Sequence, residues 1–353
     1  EMCIRDSAEI MQQSASVTGT YLQNPQPGKM RFRAPDGAVR IENADIFNLK
    51  HVSVEIPTGC LVSVTGPSGS GKSTLIFQVL AKGRTDAQQN RVTGLEQFDR
   101  IVETDQSALA RMKRSNVATF SEVYTEIRNV FAGTEDAKKA GFSAKHFSFN
   151  TPGGRCENCE GMGYVENNML FFANTEVVCP VCNGNRFDKG VLAVTYRGYS
   201  IKEILDMSVD EARHVFADHK KILRILALLQ DVGLGYLQLG QSLTTLSGGE
   251  GQRLKLAKEL IENRGNNRCL YLMDEPTTGL HPRDIEHFLV LLDRLTDAGN
   301  TVVVVEHNQQ FIRNSDWVID LGPEGGEKGG FVIFEGTPEA MKACAASVTA
   351  KYL

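Results

Sequence analysis

Between residues 39 and 64 the chain is patterned as strands. Val39-Arg40-Ile41 and Val52-Ser53-Val54-Glu55-Ile56 place every second side chain on one face, the period-two spacing of a half-buried strand. Pro57-Thr58-Gly59 supplies a turn, and Cys60-Leu61-Val62-Ser63-Val64 is a short apolar run, as in a strand covered on both faces. From 86 to 195 the rhythm is lost, and the stretch, rich in glycine and carrying paired cysteines, reads as an insertion. Helical spacing then predicts helices near 201–205, 209–216 and 222–229. A helix over 249–262, a strand over 269–273, a helix over 284–296 and a strand over 301–305 complete the pattern. Strands alternating with helices predict an α/β fold with a mainly parallel sheet. No internal repeat is visible.

Residues 9–36 are polar, with Pro25, Pro27, Gly28 and Pro35, and read as a linker or docking arm. Residues 1–7 read as the translation of a transposase adapter used in sequencing-library preparation. They are expected to be an assembly scar, with the natural chain continuing upstream.

Composition narrows the classes. A chain of 353 residues, 41% hydrophobic and 23% charged, has room for two or three ordinary globular domains. No apolar run approaches the ~20 residues that span a bilayer, so a membrane role is not expected. A net charge of -5 gives no general attraction to nucleic acid, so any DNA contact must rest on a local basic face. No basic stretch precedes an apolar core at the N-terminus, and a cytoplasmic location is the expectation.

Gly66-Pro67-Ser68-Gly69-Ser70-Gly71-Lys72-Ser73 fits G-x-x-x-x-G-K-[ST] directly after a strand, with Thr74 next in the chain. Its glycines let successive backbone N–H groups, those of Gly66, Ser68, Gly69, Gly71 and Thr74 among the candidates, turn toward phosphate oxygens. The following helix adds its positive end. Lys72 is expected on the β- and γ-phosphates of ATP, and the Ser73 hydroxyl on Mg²⁺.

Leu270-Tyr271-Leu272-Met273-Asp274-Glu275 is an apolar strand ending in two acids. Adjacent carboxylates at a buried strand end repel unless a cation is shared. Asp274 is therefore expected to hold Mg²⁺, and Glu275 to polarise the attacking water. After the next apolar strand comes His307, a candidate donor to the γ-phosphate; Gln106 is a weaker candidate for sensing the metal and the water. In Leu246-Ser247-Gly248-Gly249-Glu250-Gly251-Gln252, Ser247, Gly248 and Gly249 offer a second bare helix N-terminus for phosphate. One cassette cannot fold both loops onto the same γ-phosphate across so long an insertion. Two copies head to tail, each lending Ser247 to the other's ATP, are expected.

Cys156-x₂-Cys159 and Cys179-x₂-Cys182 are 19 residues apart, the spacing of a structural Cys₄ zinc site; the other four cysteines are scattered. The loop they enclose has no lysine or arginine, and its tip, Met169-Leu170-Phe171-Phe172, is apolar. That tip is expected to pack on a partner or wedge against distorted bases, or else to lie in a hairpin folded onto its own cassette. Phosphate contacts are expected from Arg111, Lys113, Arg114, Arg155, Arg186 and Lys189 instead.

In this order, the phosphate loop, Gln106, residues 246–252, Asp274-Glu275 and His307 resemble the ABC ATPase superfamily. The detail is similar to the second cassette of the UvrA family. It is carried by Arg114-Ser115-Asn116-Val117-Ala118-Thr119, Phe147-Ser148-Phe149-Asn150, Gly153-Gly154-Arg155-Cys156, Asp274-Glu275-Pro276-Thr277-Thr278-Gly279-Leu280-His281, Glu306-His307-Asn308 and residues 316–326. The similarity runs from about Ser16 almost to the end. In that family, residues 17–22 sit where the first cassette hands over to the second.

The resemblance implies an ABC cassette in five parts: a leading segment and linker (1–36), the first part of the ATP-binding core (37–85), an insertion with the zinc module (86–195), a helical signature subdomain (196–262) and the rest of the core (263–353). It implies recognition of damaged double-stranded DNA in nucleotide excision repair, with Mg²⁺-dependent ATP hydrolysis gating DNA binding and the state of a homodimer. A UvrB-type partner would dock on the first half of the family protein, outside this chain. A UvrA-like paralogue in drug resistance or self-protection is the alternative, because the hairpin over 164–178 departs from the repair members. A transport-coupled cassette fits the zinc insertion poorly.

Overall fold

The computed structural model describes residues 7–13, 15–23, 27–84, 91–104, 114–167, 175–262 and 267–353. The chain divides into two compact units, one from Glu1–Ser107 with Asn263–Leu353, the other from Ala108–Glu262.

The first unit is built on a six-stranded sheet. Its strand order is Phe331–Gly336, Trp317–Gly322, Leu61–Thr65, Thr301–Val305, Cys269–Asp274 and Arg100–Thr104. Every neighbouring pair is parallel except the first. The strands Leu61–Thr65 and Thr301–Val305 are buried at every position, which explains their unbroken apolar or small-residue sequences. A three-stranded antiparallel sheet, Val52–Thr58, Gly37–Ala44 and Arg91–Thr93, shares their core. Val39, Ile41, Val54 and Ile56 join Val62, Val64, Leu272, Val303 and Leu321 in one cluster with Leu75, Ile76 and Val79. Burial contributes roughly 1.5–3 kcal/mol for each such side chain.

Two expectations change here. The strands Arg91–Thr93 and Arg100–Thr104 pair with Gly37–Ala44 and Cys269–Asp274, so these two strands belong to the core, beyond the boundary read at 85. Strands of three and five residues carry too little periodicity to be recognised without their partners. Of the two readings of the leading segment, a linker or a docking arm, its order excludes the free linker. It forms helices Ser7–Gln12 and Val17–Gln23, and Lys29 and Arg33 are anchored. Arg33 bonds Asp293 at 2.7 Å and Asp316 at 2.9 Å, and Lys29 lies 2.7 Å from Asp316.

The second unit is mainly helical. Helices Ile201–Asp206 and Val209–Val215 begin at reciprocal caps, Ser200 with Glu203 and Ser208 with Glu211. Its core is aromatic: Phe131, Phe147, Phe149, Phe187 and Phe216 are wholly buried, and the Tyr124 hydroxyl donates to the Phe147 carbonyl at 2.6 Å. Strands Tyr164–Asn167 and Thr175–Val178 form the cysteine-bearing hairpin. Among the described residues no helix is long and apolar enough to cross a membrane.

Candidate functional site

Parallel strands end on one edge of a sheet, so the loops after them converge. Leu61–Thr65 leads into the phosphate loop, Cys269–Asp274 into Glu275, and Thr301–Val305 into Glu306-His307. They meet around a cleft of about 350 Å³ lined by Asn48, Ser68, Lys72, Ser73, Glu275 and His307, with Gly69, Gly71 and Thr74 also contributing. The Ser73 hydroxyl lies 3.5 Å from Asp274 Oδ1, and His307 Nε2 lies 3.3 Å from Glu275 Oε1.

The phosphate loop is held from behind. At Gly66, with φ +129°, a Cβ would lie 2.0 Å from the Leu321 carbonyl oxygen, so only glycine fits. The Gly69 carbonyl accepts from Asn48 Nδ2 at 2.7 Å and from the Gly326 amide at 3.0 Å. A side chain at Gly325 would strike the Ser68 carbonyl at 2.2 Å. Lys72 is 6% exposed and donates to the Gly66 and Pro67 carbonyls at 3.0 and 2.9 Å. Burial pulls its amine below the ordinary lysine value, while the Glu275, Asp274 and Asp320 carboxylates oppose that shift. The helix after the loop opens into wide i→i+5 turns over Thr74–Leu80 before tightening over Ala81–Arg84.

Glu306 has a larger part than the sequence indicates. It is 2% exposed and accepts four bonds: Thr277 N at 3.0 Å and Thr277 Oγ1 at 2.6 Å on one oxygen, His307 N at 2.9 Å and Asn308 N at 3.0 Å on the other. One carboxylate thus ties the turn after Glu275 to the turn that carries His307. Asn48 has no local pattern that marks it, and the Glu306-His307-Asn308 motif marks Glu306 without showing that it joins two turns. The glycine run over 322–330 is such a signal, because repeated glycines mean close backbone approach.

Within the second unit, Ser247 and Gly248 are exposed at the start of helix Gly248–Glu262. Glu250 accepts from the Ser247 amide at 2.7 Å, and the Ser247 hydroxyl accepts from the Glu250 amide at 3.3 Å. Burial pushes the Glu250 carboxyl up, but bonds from Tyr236 and Ser247 outweigh it and hold it below the usual carboxylate value.

The four predicted cysteines do meet. All are buried, their sulfur atoms lie within 4.8 Å of one another, and the Cys156–Cys179 and Cys159–Cys182 pairs are at 3.9 and 3.6 Å. Tetrahedral zinc with bonds near 2.3 Å needs sulfur–sulfur edges of about 3.8 Å, so the cluster is compatible with Zn²⁺. Burial pushes the Cys179 thiol up, yet donors from Cys182, Asn158 and Val181 overcome this and bring it down to about 6. The Gly163 amide and Asn158 Nδ2 donate to Cys159 and Cys179 sulfur at 3.3 and 3.2 Å.

The basic candidates diverge. Arg155 is 9% exposed, bonds Glu157 at 3.1 Å and lies 4.0 Å from Glu160, so it braces the cysteine loop and has little charge left for phosphate. Arg114 pairs with Glu160 at 2.6 Å and keeps its side chain 38% exposed. Arg186 lies over the Phe149 ring, and Lys189 is exposed. Gln106, Arg111, Lys113 and the apolar tip over 169–172 lie outside the described residues.

Comparison with known proteins agrees with this geometry. The family described as "ABC transporter" matches residues 49–278. The chain is 47% identical over 98% of its length to UvrABC system protein A of Aquifex aeolicus (strain VF5) and 45% identical over 98% to that of Bacillus subtilis (strain 168). It spans 38% and 37% of those relatives' own lengths. The crystal structure of UvrA2 from Deinococcus radiodurans superposes with a TM-score of 0.85 at 46% identity, covering 96% of this chain and 42% of that one. The chain belongs to the ABC family of ATP-binding cassettes, and within that family its similarity is to UvrA.

Proposed function

We propose that this chain binds and hydrolyses MgATP and uses the cycle to gate contact with damaged duplex DNA, as the second cassette of a UvrA-like excision-repair protein. The observation that carries the reading is the convergence of Lys72, Ser73, Glu275 and His307 on one cleft, with Asp274 3.5 Å from Ser73.

In this mechanism the amides of the phosphate loop and the Lys72 ammonium hold the β- and γ-phosphates. Ser73 and Asp274 would hold Mg²⁺, which neutralises phosphate charge. Glu275 orients the attacking water and draws its proton as the water oxygen bonds to the γ-phosphorus and the β–γ bridge breaks. His307, beside Glu275, donates to a γ-phosphate oxygen as its charge grows. Ser247 and Gly248, exposed on a helix N-terminus, serve the ATP of a second copy arranged head to tail. ATP then bridges the copies, and hydrolysis removes the bridge. Cys156, Cys159, Cys179 and Cys182 would hold a structural Zn²⁺ that fixes the hairpin, with no coordination position left for chemistry. Duplex phosphates meet Arg114, Arg186 and Lys189, together with Arg111 and Lys113.

Two measurements test this. Phosphate release and nucleotide titration should show turnover that requires Mg²⁺; a chain that ignores nucleotide rejects the reading. Filter binding with lesion-bearing and intact duplex should favour the lesion. Equal binding, or none, points to the resistance or self-protection paralogue and leaves the ATPase assignment standing.

A further inference from the structure

Helix Val17–Gln23 takes no part in the chemistry above, yet three of its contacts land on the start of helix Pro282–Asp297. Thr18 Oγ1 lies 3.1 Å from His281 Nε2. The Tyr21 and His281 rings meet edge to face, with centroids 5.6 Å apart and planes at 85°. The Tyr21 hydroxyl donates to Glu286 Oε2 at 2.6 Å. Burial and the Glu286 carboxylate push that phenol up to about 12, so it remains a donor near neutral pH.

His281 is the far end of the turn that begins at Glu275. Its Nδ1 accepts from the Arg283 amide at 3.2 Å, and its carbonyl accepts from the Asp284 and Ile285 amides at 2.8 and 3.1 Å. With Nδ1 an acceptor, the ring proton sits on Nε2, facing Thr18. Glu275 has φ +48°, a left-handed conformation that is strained for a side-chain-bearing residue. Such strain persists only where neighbours enforce it. The turn is closed by Thr278 N to the Glu275 carbonyl at 3.1 Å and Leu280 N to the Thr277 carbonyl at 2.9 Å. Glu306 pins its near end through Thr277, and Thr18 and Tyr21 pin its far end through His281 and Glu286.

We propose that helix Val17–Gln23 clamps the Glu275–His281 turn, and that Thr18, Tyr21 and His281 are positioning residues for the hydrolytic step. The proposal rests on the role given to Glu275 above. Whatever draws this helix away from His281 lets Glu275 relax toward an ordinary backbone conformation and carries its carboxylate off the reacting water. The segment ahead of the cassette thereby controls hydrolysis. ATP capture does not depend on it, because the phosphate loop is braced separately by Asn48 and Gly326.

The test uses the full chain with Thr18→Val and Tyr21→Phe, singly and together, and Thr18→Ser as the conservative variant. Turnover, ATP affinity and hydrogen exchange over residues 276–286 are measured. The double variant is expected to lose about tenfold in kcat. KM and ATP affinity should stay within about twofold, and exchange over 276–286 should accelerate. Thr18→Ser should match the parent chain. Unchanged kcat with unchanged exchange overturns the clamp. So does a parallel loss of ATP affinity, which would make the helix a general support of the site. If the parent chain shows no turnover, the hydrolytic reading fails and exchange alone decides: acceleration supports the clamp, and no change overturns it.

Discussion

His307 Nε2 lies 3.3 Å from Glu275 Oε1, although 31 residues of chain separate them. The contact exists because their strands, Cys269–Asp274 and Thr301–Val305, are parallel neighbours in register, Asp274 beside Val305. Glu306 then fixes both following turns at once, leaving the acid and the imidazole facing each other across the cleft.

Glu275→Gln keeps the shape of the side chain and removes its basicity. Phosphate release should fall by about 100-fold or more, with MgATP affinity retained. The trapped nucleotide should lengthen the life of any ATP-bridged pair of copies, which sedimentation reads directly. Loss of ATP binding in this variant would contradict the role assigned to Glu275.

Glu306→Gln places an NH₂ where acceptors are required. At least one of the four donors, Thr277 N and Oγ1 and the His307 and Asn308 amides, is then left buried without a partner. The first unit should lose about 2 kcal/mol of stability in denaturant unfolding. Turnover should also drop by about tenfold as the two turns drift apart.

Zinc removal should act on one unit only. Metal analysis is expected to find about one zinc per chain in the parent and none in Cys159→Ser. Chelation should open the hairpin of strands Tyr164–Asn167 and Thr175–Val178 to protease. The sole tryptophan, Trp317, sits in the sheet of the first unit beside Val62, so its fluorescence should not change. A coincident shift in Trp317 emission would show that the metal supports the ATP core as well.

Acid should weaken the anchor of the leading segment. Burial pushes the Asp316 carboxyl up, but Lys29, the Leu61 and Arg33 amides and the Arg33 guanidinium outweigh it and hold it below the ordinary 3.8. A depressed carboxylate contributes stability that is present above its unfolded value and lost as pH falls through the folded one. Thermal unfolding of the parent chain should therefore weaken as pH drops from about 4 toward 3. Asp316→Asn should cost about 3 kcal/mol at neutral pH and remove this contribution to the acid dependence. An identical acid profile in the variant would assign the effect to other carboxylates.

Local order in the chain was enough for the cassette family, the mainly parallel sheet and the cysteine cluster. A phosphate loop needs its glycines and lysine at fixed intervals, a doubly covered strand must be built of apolar or small uncharged residues, and paired thiols must lie a tight turn apart. Each of these constraints acts over a few residues and so remains visible along the sequence. Asn48 behind Gly69, Gly325 against Ser68, Glu306 across two turns and Thr18 on His281 obey no such interval. The edge strands Arg91–Thr93 and Arg100–Thr104 are likewise recognisable only beside their partners. These relationships join residues brought together by sheet order and burial. A buried carboxylate or a left-handed backbone is tolerated only where the folded surroundings supply its bonds, and those surroundings exist only in three dimensions.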